Sequence, residues 1–404
     1  MRPMSAMEPV EPTSPRSLPE QAGDEVVHTV RSLKDLIERA TGSLPGTAED
    51  EAASSLADAP PYPFLGIVGQ REMKLALMLA LINPRLGGVL LIGPRGTGKT
   101  TAVRSLVELL PLTPRSRCRY GCMPEDIEAG GMEAVCPDCA RKYGEGQALT
   151  VLDRVRLVEL PLNSTLDDVL GCPLDPANPL ERPRLRRGLL SSADRNLLYV
   201  DEINLLTPEI ADAILDAAAH GSYHLRRGPA SGVYRSRFVL IGSMNPEEGS
   251  LRPQIMDRFS LRVVVRGLSD PGERLEAYRR SEAYRENPHA LAARFREDTR
   301  VFQEEIQAAR DLLPAVSVPD RVARRAICLI QRLEIASLRA EQSLLGAARA
   351  LAAAEGRREV TAGDLLETAS LALRLRRSDF MGEFLQRQVE EEAGIHAAAA
   401  EIIS

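Results

Sequence analysis

Tryptophan is absent, and Phe, Trp and Tyr together make up 4% of the 404 residues. Surfaces that stack bases or sugars need aromatic faces, so such a surface is disfavoured. Long apolar runs are missing too. Nothing approaches the ~20 consecutive apolar residues of a bilayer span. The opening MRPMSAMEPVEP lacks the apolar core of a secretory leader. The expected compartment is the cytoplasm, with no membrane partner. Six cysteines are too few for a disulfide scaffold. Most of the chain also lacks an excess of either charge. Residues 1–60 hold 11 Asp+Glu against 5 Lys+Arg, while the remaining 344 hold 46 of each. The net charge of −6 therefore belongs to the tail, and a broadly basic nucleic-acid binder is disfavoured.

Hydrophobic residues at 44% and a length of several hundred residues are enough for a real core. At roughly 150 residues per domain, two to three domains are expected. Residues 1–60 contain seven prolines among many Ser, Glu and Ala and read as a disordered acidic tail. Within it, VVHTVRSLKDLIERA (26–40) has helical spacing. It is either a transient helix or a docking helix.

From Pro61 the pattern changes. GQREMKLALMLALIN (69–83) has helical periodicity and stops at Asn83-Pro84. GGVLLIG (87–93), VRLVELP (155–161), NLLYVDE (196–202) and FVLIG (238–242) read as buried strands separated by helices, the last of them closing the strand series. A helix is expected at Lys99–Leu110, before Pro111. Strands alternating with helices indicate a parallel α/β sheet. After Asp270 the chain carries only 3.6-residue periodicity, and Thr361-Ala-Gly-Asp364 reads as a helix start. The expected organisation is an α/β core at 61–268, with a Cys-rich insertion at 115–147, followed by linker helices and a helical domain at 269–404.

GPRGTGKT (93–100) fits G-x-x-x-x-G-K-[ST] between a strand and a helix, the context a phosphate-binding loop requires. Gly93, Gly96 and Gly98 let backbone N–H groups face the phosphates. Lys99 supplies a positive charge to the β/γ-phosphates. Thr100 offers a hydroxyl to Mg²⁺, and Thr101 continues the loop into the helix N-terminus. ATP and Mg²⁺ are the implied cofactors. NLLYVDE ends in an acidic pair. Asp201 is placed to hold the Mg²⁺ shell, and Glu202 to polarise a water against the γ-phosphate. Asn245, at the tip of FVLIGSMNP, either orients that water or forms a turn before Pro246. In LRPQIMDRF, Arg252 and Arg258 either make surface ion pairs or reach a neighbouring subunit's nucleotide.

CRYGC (118–122) and CPDC (136–139) bring together Cys118, Cys122, Cys136 and Cys139. Two close pairs suit a structural Zn²⁺. A redox dithiol and unliganded thiols are the alternatives. Cys172 and Cys328 are isolated. Cys328, flanked by Ala326, Ile327, Leu329 and Ile330, is expected in the core. HGSYHLRRGPASGVYRSRF (220–238) reads as two strands around Gly228–Gly232, carrying Arg226, Arg227, Arg235 and Arg237. Such a hairpin lines a pore, threads nucleic acid, presses on a protein partner, or packs against a neighbouring subunit.

The order GPRGTGKT, NLLYVDE, SMNPEEG, LRPQIMDRF resembles the AAA+ ATPases. The strings around it resemble the ATPase subunit of magnesium chelatase, from YPFLGIVGQ (62–70) through VELPLNSTLDDVLG and GLLSSADRNLLYVDEINLL to LALRLRR (371–377). The resemblance implies an AAA+ P-loop core with a parallel sheet and a C-terminal helical lid. It implies an Mg²⁺-dependent ATPase that drives Mg²⁺ insertion into protoporphyrin IX, for chlorophyll or bacteriochlorophyll. It also implies a homo-oligomeric ring, expected as a hexamer, and two partners: a large porphyrin-binding subunit and an integrin-type metal-binding subunit. Carried over by position, Lys99, Thr100, Asp201 and Glu202 serve nucleotide and Mg²⁺, Asn245 is sensor 1 and Arg258 the arginine finger. The sensor-2 arginine of the lid falls in LALRLRR, with Arg376 preferred over Arg374. A remodelling ATPase of the MoxR type and a DNA-translocating ring are the competing readings.

Overall fold

The computed structural model describes residues 59–118, 120–174, 184–185, 188–227, 230–377, 391–392 and 394. All belong to one compact unit, Arg31–Ser404. The expected tail, except residues 59–60, and its helix at 26–40 lie outside the described residues, as does most of the chain after 377.

Five strands form a parallel sheet: β1 (Val89–Ile92), β2 (Leu157–Leu160), β3 (Leu197–Val200), β4 (Val239–Met244) and β5 (Leu261–Val264), in the order β5-β1-β4-β3-β2. Every residue of β1, β3 and β4 is buried. This matches their reading as unbroken apolar runs covered on both faces. Register is set by pairs such as Val89↔Ile241 and Val89↔Leu261.

β5 corrects the expectation that the strands end at FVLIG: Arg258 precedes the last strand. The run LRVV is broken by Arg262, which reads as a surface residue yet is 1% exposed. Its guanidinium donates to the carbonyls of Arg374 (3.0 Å) and Met256 (2.7 Å), so backbone acceptors replace the water it leaves. Burial, then the charge of Arg376, lowers its pKa to about 10.

Helix Arg71–Ile82 buries ten of its twelve residues, Lys74 among them. Such a helix lies between layers rather than on a surface. It packs against β1 and β5 on one side and the helices Arg296–Leu312 and Arg339–Ala354 on the other. The helix after the phosphate loop runs only Lys99–Ser105, continuing as a 3₁₀ turn at Leu106–Leu109.

The helical region contains Pro271–Glu286, Arg296–Leu312, Asp320–Arg332, Arg339–Ala354 and Ala362–Leu373. Arg339–Ala354 buries Ala340, Ala347 and Ala348 beside Leu344 and Leu351. Small side chains there let neighbouring helices approach closely. The expected start at Thr361 is a reciprocal capping box: Thr361 Oγ1 accepts from Asp364 N (3.4 Å), and Asp364 Oδ2 accepts from Thr361 N (2.7 Å). Cys328 is exposed, not in the core. Its helix buries Val322, Ala326 and Ile330, and two residues beyond Ala326 is the far side of a helix.

The Cys-rich insertion is closed by an antiparallel ribbon, Thr113–Ser116 with Thr150–Asp153. It contains two short helices, Pro124–Gly130 and Pro137–Gly144, that its polar, Gly-rich composition concealed. The hairpin pairs Ser222–Arg227 with Ala230–Arg235. The expected five-residue loop is therefore shorter, because Ala230, Ser231 and Gly232 belong to the second strand. No helix among the described residues is long and apolar enough to cross a membrane.

Candidate nucleotide-binding site

The loop 93–98 leaves the carboxyl end of β1, an inner strand, where open parallel sheets place their ligands. Gly96 and Gly98 adopt φ of 76° and 83°, a region side chains avoid. Gly93 is required for a different reason. A Cβ there would meet the Val265 carbonyl oxygen at 2.1 Å, just past β5. The loop is thus pinned against the fifth strand and curls freely above it.

Lys99 Nζ donates to the carbonyls of Gly93 and Pro94, each at 2.7 Å. Burial lowers its pKa, and Asp201, Glu202 and Glu248 push back the other way. Gly96, Gly98, Lys99, Thr100, Thr101, Asp201, Glu202 and Asn245 line one open cleft together with Arg95 and Ser243.

Two residues that sequence reasoning did not single out hold the acidic pair. Tyr199 OH donates to Asp201 Oδ1 (2.9 Å) and lies 3.1 Å from Thr100 Oγ1. Burial pushes the Tyr199 phenol up to about 12, so it stays a donor near neutral pH, and Thr100 donates to it in turn. Ser243 Oγ also donates to Asp201 and accepts from Glu202 N at 3.2 Å. The signal was present as strand alternation: Tyr199 faces the same side as Asp201, and Ser243 the same side as Asn245.

Glu202 has φ 50°, a left-handed conformation that costs a non-glycine residue about 1–2 kcal/mol. Strain of this kind collects at functional positions. Its carboxylate pairs with Arg95 at 3.0 Å, and Arg95 also pairs with Glu248 at 2.6 Å. The Arg95 side chain is 72% exposed, so the pairs hold Glu202 only weakly.

Asn245 forms the expected turn and also lines the cleft. Its Oδ1 accepts from Glu247 N (3.3 Å), capping the turn Pro246–Glu248, and it is 5% exposed at the cleft. Arg258 does not line the cleft. It ends the helix Pro253–Arg258 and pairs with Asp216 on helix Pro208–His220, while Arg252 lies 3.9 Å from Asp212 on the same helix.

The preference for Arg376 as the lid arginine at the nucleotide is corrected. Arg376 is buried and bonds Asp257 Oδ1 (2.8 Å), the carbonyls of Phe259 (3.1 Å) and Ala372 (2.6 Å), and Ser343 Oγ (2.8 Å). Asp257 and Phe259 precede β5, at the amino end of the parallel sheet. The cleft lies at the carboxyl end, so Arg376 locks lid to core away from it. Arg374 instead forms a fork with Glu72, at 2.9 and 3.4 Å. Two residues before Glu72, Gln70 Nε2 donates to the Arg266 carbonyl past the carboxyl end of β5 (2.7 Å). Neither Arg374 nor Arg376 lines the cleft.

Comparison with known proteins decides the family. Residues 323–396 match the AAA lid domain. The chain is 41% identical over 336 residues to "Magnesium-chelatase subunit ChlI homolog" of Methanocaldococcus jannaschii, covering 82% of this chain and 90% of that one. It is 43% identical to "Magnesium-chelatase 38 kDa subunit" of Acidiphilium rubrum, covering 80% and 93%. The chain belongs to the ChlI family of magnesium-chelatase subunits. A structure of the complex between subunits BchI and BchD of magnesium chelatase is 37% identical, with TM-score 0.44, covering 81% of this chain and 99% of that one. The architecture of this ChlI-family chain is that of an AAA+ protein, a parallel P-loop sheet followed by a helical lid.

Beside that architecture stands the insertion. Its four cysteine sulfurs lie within 4.8 Å of one another, the one such group of metal-competent residues among the described residues. Burial and the surrounding thiols raise Cys139, and the hydrogen bond between Cys118 and Cys122 raises Cys122 and lowers Cys118.

Proposed function

We propose that this chain is an Mg²⁺-dependent ATPase that works as the motor subunit of a magnesium chelatase, with protoporphyrin IX and Mg²⁺ as the substrates of the whole assembly. The observation that carries the reading is the convergence of Lys99, Thr100, Asp201, Glu202 and Asn245 on a single cleft. Family membership supplies the client. By the same reading, residues 61–268 are the nucleotide-binding core and 269–404 the linker helices and lid.

The donor set fits a hard divalent cation. The Thr100 hydroxyl and the Asp201 carboxylate are joined through Tyr199 in one cleft, and Mg²⁺ favours oxygen ligands from one or two such groups plus phosphates. When bound, the ion would neutralise charge on the β- and γ-phosphates. The chain's own residues do the rest. The loop N–H groups and the Lys99 ammonium bind the phosphates and fix their position. Glu202 accepts a proton from the attacking water, turning from Arg95 to do so. Ser243 and Tyr199 hold Asp201 in place through the hydrogen bonds their hydroxyls donate to it. Asn245, at the tip of β4, orients the water.

Arg258 completes the site from outside. It does not line its own chain's cleft and sits on the surface helix before β5, so its role is to reach the γ-phosphate of a neighbouring subunit in a ring, expected as a hexamer. A fixed guanidinium charge stabilises negative charge that develops there. Arg374 serves the same nucleotide from the lid. The partners are a large porphyrin-binding subunit and an integrin-type metal-binding subunit.

The test is phosphate release from ATP by the full chain. Glu202→Gln should bind ATP and lose turnover by ~10²–10⁴-fold, the usual contribution of a general base. Undiminished turnover in that variant removes the assignment.

A further inference from the structure

Among the described residues outside the nucleotide cleft, the four cysteines of the insertion are the one cluster of metal-competent side chains. Cys118 Sγ lies 3.8 Å from Cys122 Sγ and 3.5 Å from Cys136 Sγ. A disulfide would bring two sulfurs to ~2.05 Å. Four sulfurs tetrahedrally placed at ~2.3 Å around Zn²⁺ lie ~3.8 Å apart. Two backbone amides aim at these sulfurs: Tyr120 N at Cys118 (3.3 Å) and Cys136 N at Cys122 (3.4 Å). Such bonds favour the thiolate form and fix ligand direction. Cys136 is the N-cap of helix Pro137–Gly144, and Cys139 lies in its first turn, so the helix dipole acts on both.

The insertion has little else to hold it. Its core contains Cys122, Val135, Cys139 and Leu149, two of the four being cysteines. A segment of about 35 residues with so small a core does not usually stay folded without a metal or a disulfide. All six cysteines of the chain are free of disulfides.

What the insertion touches gives the metal a consequence. Asp126, on helix Pro124–Gly130, pairs with Arg235 of the hairpin. Its neighbour Glu125 pairs with Arg195 at 3.0 Å, and the Arg195 amide donates to the Arg237 carbonyl at 2.6 Å, just past the hairpin. Tyr120, between the first two cysteines, packs on Tyr234 of the hairpin at 5.5 Å between ring centres. A Cβ on Gly121 would meet Arg235 Cβ at 3.0 Å, so the turn between the cysteines rests directly on the hairpin.

We propose that Cys118, Cys122, Cys136 and Cys139 hold one Zn²⁺ in a closed, structural site, and that the zinc keeps the insertion folded as a brace against the basic hairpin. Four thiolates fill the tetrahedral shell, so no position is left for substrate or water. The zinc acts on the hairpin through Asp126, Tyr120 and the Gly121 turn, and less directly through Glu125. The phosphate loop is not part of this assembly, and the proposal stands or falls independently of ATP hydrolysis.

The experiment uses the full chain, purified without added metal and without a metal-affinity column. Element analysis should give about one zinc per chain. Hydrogen exchange of residues 222–235 is then compared before and after the metal is stripped with a chelator under reducing conditions. Exchange there should speed up at least tenfold, while nucleotide affinity in the same sample stays within about twofold, reporting that the core is still folded. Arg235→Ala should keep the zinc and still loosen the hairpin. Absence of zinc with four reactive thiols overturns the metal site, as does iron in its place or a mass showing disulfides. Full zinc with a hairpin indifferent to its removal overturns the brace.

Discussion

At the scale of single residues, the proposed function divides the cleft into groups that bind and groups that react. Lys99→Ala should weaken ATP binding at least tenfold, about 1.4 kcal/mol, measured by titration with a fluorescent nucleotide. Glu202→Gln should leave that affinity in place. Tyr199→Phe is a sharper test of the geometry, because it removes only the hydroxyl that joins Thr100 to Asp201. Its Mg²⁺ dependence should shift to higher concentration while nucleotide affinity without Mg²⁺ stays constant; an unchanged Mg²⁺ dependence argues against Thr100 and Asp201 as the pair that holds the ion. The sequence made Lys99, Thr100, Asp201 and Glu202 legible because loop and strand end have fixed spacing. Tyr199 and Ser243 were not, since their importance comes from hydrogen bonds between strands far apart in the chain.

Lys74 is a second residue-scale case, away from the cleft. It is fully buried and donates to the Ile67 carbonyl. Burial, then the charge of Arg280, lowers its pKa to about 7. Below pH 7 both folded and unfolded chains carry the proton, and the full cost of a buried charge is present. Between about 7 and 10.5 the unfolded chain binds more protons, so stability rises with pH. Thermal melts should therefore move up by a few degrees from pH 6.5 to 9 relative to the same shift in Lys74→Met. Parallel pH profiles for the two proteins would contradict this.

At the scale of elements, the lid is held to the core by buried polar contacts. Asp257 lies 2.8 Å from Arg376, 3.4 Å from Arg339 and 3.7 Å from Arg262. Arg376→Ala takes a donor from the buried carbonyls of Phe259 and Ala372, a loss of roughly 1–3 kcal/mol for an unsatisfied buried group. It should lower the melting temperature with little change in ATP affinity. Arg374→Ala should do the reverse, reducing hydrolysis with little loss of stability. If Arg376→Ala instead abolished hydrolysis in a fully stable protein, the division of labour drawn here would be wrong. Four of the five sheet strands were legible as apolar runs. β5 was not, because Arg262 interrupts it and nothing local shows that carbonyls from the lid and the preceding helix satisfy that guanidinium. Arg374 and Arg376 illustrate the same limit: two residues apart in one string, one pairs with Glu72 and the other with Asp257, which no motif can tell.

At the scale of the whole molecule, the cleft of the single chain gathers Lys99, Thr100, Asp201 and Glu202, and among the described residues Arg95 is the one arginine lining it. Arg258 sits elsewhere, paired with a half-exposed Asp216. The central claim is that ring assembly brings Arg258 to the next subunit's nucleotide. Specific activity should then rise with protein concentration as rings form. Arg258→Ala should bind ATP and assemble, yet hydrolyse it slowly, toward the lower end of the ~10³–10⁵-fold that arginine fingers contribute.

Mixing Arg258→Ala with Glu202→Gln, each inactive alone, tests that claim most directly. In a ring with equivalent interfaces, an equal mixture places an intact Glu202 against an intact neighbouring Arg258 at up to about a quarter of the interfaces. Phosphate release should return toward that fraction of the unmutated protein's rate. No recovery in rings shown to contain both variants would mean that Arg258 does not act across the interface.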